Sequence, residues 1–248
     1  MKKNIGVIAA AFLAAAALTA CGGSKPAETT AAATEAETTA AESAAEESSA
    51  EETKAAADIE TVTPGKLTVA TSPDFAPYEF YAIGEDGTPK LAGFDMDLAQ
   101  YIADYLGLEL EVVTVDFDGV ISELQTKSVD LGMAGLSPDE KRMGIMDFSD
   151  LYYMGGQSLV TVKDNAEKYN SFEAINKPDV SVGAQVGSIQ MDLANENSPE
   201  ADIVGLPKVT DIISELLTGK MDAAYIETDV AKSYQKNYPE LTLVMDVP

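Results

Sequence analysis

The chain has 248 residues and carries 42 Asp and Glu against 16 Lys and Arg, a formal net charge of −26, which leaves no basic face for the phosphates of nucleic acid. It has no histidine, so the commonest metal ligand and the commonest general base are missing; no metal, cofactor or catalytic residue is expected. A single cysteine, Cys21, excludes a disulfide within the chain.

The chain begins MKKNIGVIAAAFLAAAALTACGGS. Two lysines precede an apolar run from Ile5 to Leu18, which is short for a membrane span and has the form of a secretory signal over residues 1–20. The run stops at LTAC, which resembles the lipobox of bacterial lipoproteins. That resemblance implies cleavage before Cys21 and acylation of its thiol (palmitate), so the mature protein would be lipid-anchored on the extracytoplasmic face of the cell membrane. The alternative is a plain signal peptide with an incidental cysteine. Residues 22–60 hold ten acidic side chains against two lysines and almost no large apolar group. Such a stretch cannot bury enough surface to offset chain entropy, so 21–60 reads as a disordered acidic tether.

From Lys66 onward short β-rich runs alternate with helical patterns. KLTVATS is expected to form a strand. FDMDLAQYIADYLG follows as a helix with Phe94, Leu98, Ile102 and Tyr105 on its apolar side, then LELEVVTV as a strand. Next come a helix in GVISELQTK, a strand in VDLGMAG, a brief helix around PDEKRM and an extended QSLVTV. The rhythm repeats as strand DVSVGAQ, helix SIQMDLANEN, strand ADIVGL, helix TDIISELLTG, strand MDAAYI and helix TDVAKSYQKN. Strands alternating with helices of about ten residues indicate α/β units with mainly parallel sheets.

One internal match says more than the rhythm. GVISELQTKSVDLGMAG (119–135) and DIISELLTGKMDAAYIE (211–227) align without a gap at an offset of 92. This points to two lobes built on a common helix–strand unit, 61–157 and 158–248, with Gly135 and Glu227 at matching strand ends. Ligands of open α/β sheets sit beyond the carboxyl ends of the strands, so both residues are expected to face one cleft. In a chain this acidic, Arg142 is the single arginine.

At TSPDFAPYEF, GFDMDLAQYIA, FDGVISELQTKSVDLGMAG, RMGIMDFSDLYY and GAQVGSIQ the sequence resembles the amino-acid-binding lipoproteins of ABC importers. These are the family 3 solute-binding proteins with the type II periplasmic-binding fold. The resemblance implies an α/β protein of two lobes, mostly parallel sheets flanked by helices, with a ligand cleft between the lobes that closes on an amino acid and delivers it to a membrane permease. It also implies a monomer with no cofactor. It places Arg142 on the ligand α-carboxylate, where guanidinium gives two parallel charge-assisted hydrogen bonds. Gly135 C=O and Ser137 fall on positions for the α-amino group or the carboxylate, and Glu227 on an acidic partner for the ammonium. Phe75 and Phe117 fall where rings sandwich the ligand side chain, and Gln185 near the carboxylate end. Ser188 and Ile189 present helix N-terminal amides, which favour an anion. Each position has a plainer reading too: Arg142 paired with Asp139 at i−3, Phe75 and Phe117 as lobe core, Glu227 as a helix-start carboxylate. Asp147 and Phe148 read as turn and core.

Departures from the family limit what it implies. Ser72 stands where binders of cationic side chains often have aspartate, with Asp74 nearby as a substitute, so a polar L-amino acid is expected without a narrower class. The family continues past a second crossover, whereas this sequence stops at LTLVMDVP, so the return segment is expected to be missing. Two other functions compete with the transport receptor: a cyclohexadienyl-type dehydratase on the same fold, which needs a general acid that does not stand out, and a sensory or surface lipoprotein.

Overall fold

Residues 59–248 are described by a computed structural model. The apolar N-terminal segment, Cys21 and the acidic stretch as far as residue 58 lie outside the described residues.

The first sheet is wholly parallel. Its order is β5 (Glu109–Thr114), β1 (Lys66–Thr71), β6 (Leu131–Gly132). Strand β1 is central and covered on both faces, and every residue after Lys66 is buried. That is why LTVA reads as a continuous run and not as an alternation. Successive residues still point opposite ways: Leu67 and Val69 pack on helix α1 (Phe94–Tyr105) through Ala99 and Ala103, while Ala70 packs on helix α2 (Phe117–Gln125) through Phe117 and Val120. The buried side of α1 differs from the one expected. Met96, Ala99 and Ala103 are buried with Leu98 and Ile102 partly covered, and Phe94 and Tyr105 are exposed. Small alanines let the helix approach the sheet closely, so the rings are left outside.

A small antiparallel sheet, β2 (Asp74–Phe75), β3 (Glu79–Ile83) and β4 (Pro89–Ala92), lies between β1 and α1 in the chain. The alternation of strands with helices did not reveal it, because these three strands follow one another with no helix between them. Gly93 ends it with φ +126°, and a Cβ there would lie 2.1 Å from the Tyr78 carbonyl oxygen. The chain must pass this close because the Phe94 and Asp95 amides donate to the Pro77 and Tyr78 carbonyls, at 3.1 and 2.9 Å.

The second sheet is mixed, in the order β11 (Leu241–Val247), β7 (Gln157–Val162), β10 (Ala223–Glu227), β8 (Ser181–Gln185), β9 (Asp202–Leu206). β10, β8 and β9 are parallel, as the rhythm predicts; β7 and β11 are antiparallel to their neighbours. The register explains why. Gln157, the first residue of β7, pairs with Glu227, the last of β10. β7 therefore enters this sheet at the end where the parallel strands finish and must run the other way. Helices α5 (Ile189–Asn197), α6 (Val209–Leu217) and α7 (Thr228–Asn237) flank the sheet, and two single-turn helices, α3 (Glu140–Met143) and α4 (Phe172–Ile175), complete the set.

The internal match has a structural cause. The units α2–β6 and α6–β10 start at the same offset, and their shared aspartates do the same job. Asp130 accepts from the Thr68 amide at 2.8 Å and Asp222 from the Ser181 amide at 3.0 Å, while their own amides donate back to the Thr68 and Ser181 carbonyls. Each aspartate thus ties its segment to the adjacent parallel strand.

The lobes meet over β2. Phe75 and Tyr78 pack in one cluster with Val160, Val209, Ile226 and Val230 of the second lobe. Lys141 of the first lobe also pairs with Asp192 of the second at 3.3 Å.

Candidate ligand cleft

A cleft of about 850 Å³, open to solvent at its mouth, lies where the carboxyl ends of both sheets face each other. Its walls carry both ends of the internal repeat, Gly135 and Glu227.

Arg142 lies on the single turn α3. Asp139 caps that turn by accepting from the Arg142 amide at 2.8 Å, and its other oxygen lies 3.2 Å from Nε. Nη1 donates to the Ser137 carbonyl at 2.9 Å and Nη2 to the Gly187 carbonyl of the second lobe at 2.9 Å. The guanidinium carbon stands 5.7 Å from the Phe117 ring centroid, a cation–π distance. Guanidinium has five N–H donors, so these contacts leave one N–H on each terminal nitrogen without a protein acceptor among the described residues. Arg142 is 6% exposed. Burial pulls its pKa down and Asp139 pulls it up, and it stays charged at any ordinary pH. Pairing with Asp139 and a place in the cleft wall are therefore not alternatives.

Glu227 ends β10 and begins α7. Oε2 accepts from the Val230 amide at 2.8 Å, the cap of that helix, and Tyr78 OH donates to Oε1 at 3.4 Å. The backbone crosses in front of it at Gly155, where a Cβ would lie 2.4 Å from Oε1. Burial raises its pKa, the Val230 amide opposes that, and Asp229 adds to it. It, too, is 6% exposed.

Phe75, Phe117, Gly135, Ser137, Gln185 and Ile189 also line the cleft. Gly135 has φ +58°, and a Cβ would lie 2.9 Å from the Phe75 ring, so glycine is needed there on two grounds. Gln185 is buried and donates to the Pro207 carbonyl at 3.0 Å. Ser188 departs from expectation: it is not on the cleft wall, and its amide donates to the Gln185 carbonyl at 3.3 Å. Its hydroxyl oxygen accepts from the Met191 amide as the cap of α5, so the turn consumes the amide that an anion would need.

Asp74 is also turned elsewhere. One oxygen accepts from Ser72 OH at 3.1 Å and the other from the Val209 amide, and it does not reach the cleft. The acids on the wall are Glu227 and Asp150. Tyr78, Tyr152, Tyr153, Gln157 and Gln190 line the cleft although the sequence does not single them out, and Phe148 lines it too, in contrast to its reading as core. The tyrosines sit inside the APYEF and DLYY motifs, and the visible signal is the pair of adjacent rings in the second. Tyr78 stands edge-on to Tyr153 at 5.3 Å and stacks on Phe75 at 5.7 Å. Among the described residues no group of three or more His, Cys, Asp or Glu could hold a metal ion.

The family model for bacterial extracellular solute-binding proteins, family 3, matches residues 67–242. The chain belongs to this family. This family 3 chain is 35% identical over 178 residues to the arginine-binding extracellular protein ArtP of Bacillus subtilis (strain 168), covering 71% of this chain and 66% of that protein. It is 29% identical over 180 residues to the cyclohexadienyl dehydratase of Pseudomonas aeruginosa, covering 73% of this chain and 66% of that enzyme. A crystal structure of the amino acid ABC transporter substrate-binding protein AbpA from Streptococcus pneumoniae Canada MDR_19A, bound to L-arginine, matches with a TM-score of 0.70 at 37% identity, covering 73% of this chain and 75% of that one. The chain thus spans about two thirds, 66%, of the length of these two curated relatives.

Proposed function

We propose that this family 3 chain is the extracytoplasmic substrate-binding component of an ABC importer for an L-α-amino acid with a polar side chain. The reading rests on one observation: a buried guanidinium, Arg142, and a buried carboxylate, Glu227, share one ring-walled cleft. A free amino acid is a zwitterion, and such a cleft offers a fixed partner for each of its charges while Phe75, Phe117 and the tyrosines cover the side chain. Rings favour a cationic or planar side chain, and the relatives named for arginine support L-arginine as the first compound to test. The absence of histidine supports a binder over an enzyme. Attachment to the membrane through lipid on Cys21, function as a monomer and delivery to a permease belong to the same reading.

Titration calorimetry with L-arginine and L-argininamide, on wild type and on Arg142→Lys and Arg142→Ala, tests it. Hydrogen bonds to charged groups contribute about 1.5–3 kcal/mol each. Loss of both contacts to the carboxylate should weaken L-arginine binding by about 100-fold or more, with lysine intermediate. The amide lacks the carboxylate and should be much less sensitive. Equal losses for acid and amide, or turnover of a cyclohexadienyl substrate, would overturn the reading.

A further inference from the structure

We propose that Glu79 and Asp95 form a proton-sharing carboxyl pair behind the cleft wall, and that Asp95 positions two cleft residues, Gly135 and Tyr152, through it. The proposal rests on the cleft reading above only in assigning those two residues to the ligand.

Asp95 is the second residue of α1 and is 0% exposed. Three contacts converge on it. The Gly135 amide donates to Oδ2 at 3.3 Å, and Tyr152 OH lies 3.1 Å from Oδ1 and 3.2 Å from Oδ2. Gly135 follows the last strand of the first sheet, and Tyr152 belongs to the segment that crosses to the second lobe. Both line the cleft and Asp95 does not. One carboxylate therefore registers the binding loop against the crossover segment. Its place in the first turn of α1 also favours negative charge there.

Glu79, on β3, is the unsolved half of this arrangement. It is 0% exposed, and neither of its oxygens receives an N–H or O–H donor. Asp95 is its near neighbour, since the Asp95 amide donates to the carbonyl of Tyr78, the residue before Glu79, at 2.9 Å. The other groups acting on it are also acidic or phenolic, Asp74 on β2 and Tyr152 on the crossover segment. No cationic side chain is among them. Two neighbouring carboxylates out of water disfavour each other's ionisation, and a buried charge with no partner is costly. A single proton resolves both problems. Carried by Glu79, it makes that side chain a donor to Asp95, which remains the charged acceptor of the Gly135 and Tyr152 donors. The reverse assignment would put the charge on the group that has no donors. Burial raises both acids, and for Glu79 the neighbouring Asp95 and Asp74 raise it further.

The sign of the pH dependence follows. A carboxyl whose folded pKa is raised stabilises the fold below its ordinary value, about 4.3 for glutamate, and loses that contribution as pH rises towards the folded value. In that window the folding constant falls tenfold per pH unit on account of this one group. Glu79→Gln keeps the shape and the donor without a proton to lose. Three measurements test the pair. Infrared difference spectra at neutral pH should show one protonated carboxyl in wild type that is missing in Glu79→Gln. The stability of Glu79→Gln relative to wild type should grow with pH above about 4.3. Hydrogen exchange of the Gly135 amide should be unchanged within about threefold in Glu79→Gln and at least tenfold faster in Asp95→Ala, since charge-assisted hydrogen bonds are the strong ones. Should Asp95→Ala fail to fold, Asp95→Asn replaces it, and its weaker neutral acceptor should still speed exchange severalfold. A wild type without the acid band, a pH-independent stability difference, or Gly135 exchange insensitive to position 95 would overturn the proposal. None of these readouts needs a ligand. Failure of the wild type to bind L-arginine would therefore count against the binding reading alone.

Discussion

Asp74 offers a direct way to ask how the two lobes are held together. It lies on β2 of the first lobe, yet its carboxylate accepts from the amide of Val209, the first residue of α6 in the second. The N-cap of α6 is Lys208, which makes no capping hydrogen bond, so the helix is capped from the opposite lobe. Tyr234 of α7 donates to the Asp74 carbonyl at 2.7 Å. Asp74→Ala removes the acceptor used by Val209 N–H and by Ser72 OH. Each loss is worth about 1 kcal/mol. The Val209 term falls only on the docked lobes, because water reaches that amide once they part. The Ser72 term falls on both states alike, so about 1 kcal/mol shifts the docked-to-separated ratio, roughly fivefold. Asp74→Asn should lose far less. Burial raises the Asp74 pKa above the ordinary range, so the fold favours the neutral form, and an amide carbonyl still accepts from Val209. By the same sign, wild-type docking should be firmer near pH 4 and weaken as pH rises through the raised value, with Asp74→Asn flat. Small-angle scattering of ligand-free protein and stopped-flow dissociation of L-arginine are the assays. An unchanged radius of gyration and dissociation rate in Asp74→Ala, or an asparagine as damaging as alanine, would refute the reasoning.

Three further outcomes are expected. Gly93→Ala places a methyl 2.1 Å from the Tyr78 carbonyl oxygen at φ +126°, and should cost at least about 2 kcal/mol by urea denaturation. The raised pKa of Glu227 means that acid protonates it early. L-arginine affinity should therefore fall as pH drops through that value, and Glu227→Gln should bind more weakly with the dependence gone, as read by calorimetry across pH. Lys141→Ala removes an exposed pair between the lobes, Lys141 to Asp192, and should change stability and affinity by less than about 1 kcal/mol, a small effect that salt erases.

The contrast between Arg142 and Ser188 separates what is written locally from what is not. A lone guanidinium in an acidic chain, placed after a Ser-Pro turn with an aspartate three residues before it, announces a fixed anion partner whatever surrounds it. Ser188 at a helix start looks equally suited to an anion, but its amide closes a turn onto the Gln185 carbonyl. That choice depends on backbone dihedrals which residue identities do not reveal. Likewise Asp74 and Glu227 are both acids near motif residues. Only docking of the lobes sends one to the amide of α6 and the other to the cleft wall.

The sequence by itself determined the alternation of strands and helices from Lys66 onward and the offset of 92 between the two α/β units. These follow from periodicity and from side-chain chemistry that recurs in both units, such as the aspartate that ties each unit to its neighbouring strand. Of the two residues expected at matching strand ends, Glu227 ends β10, whereas β6 stops at Gly132, three residues before Gly135. Only the tertiary structure decided the antiparallel entry of β7, the small sheet β2–β4, the tyrosines of the wall and the complete burial of Glu79 and Asp95. Each depends on which distant segments meet, such as β3 and α1 with the crossover segment, and on how much water their meeting excludes. A single linear pattern holds information about its own period but little about the polarity of the surface it will be pressed against.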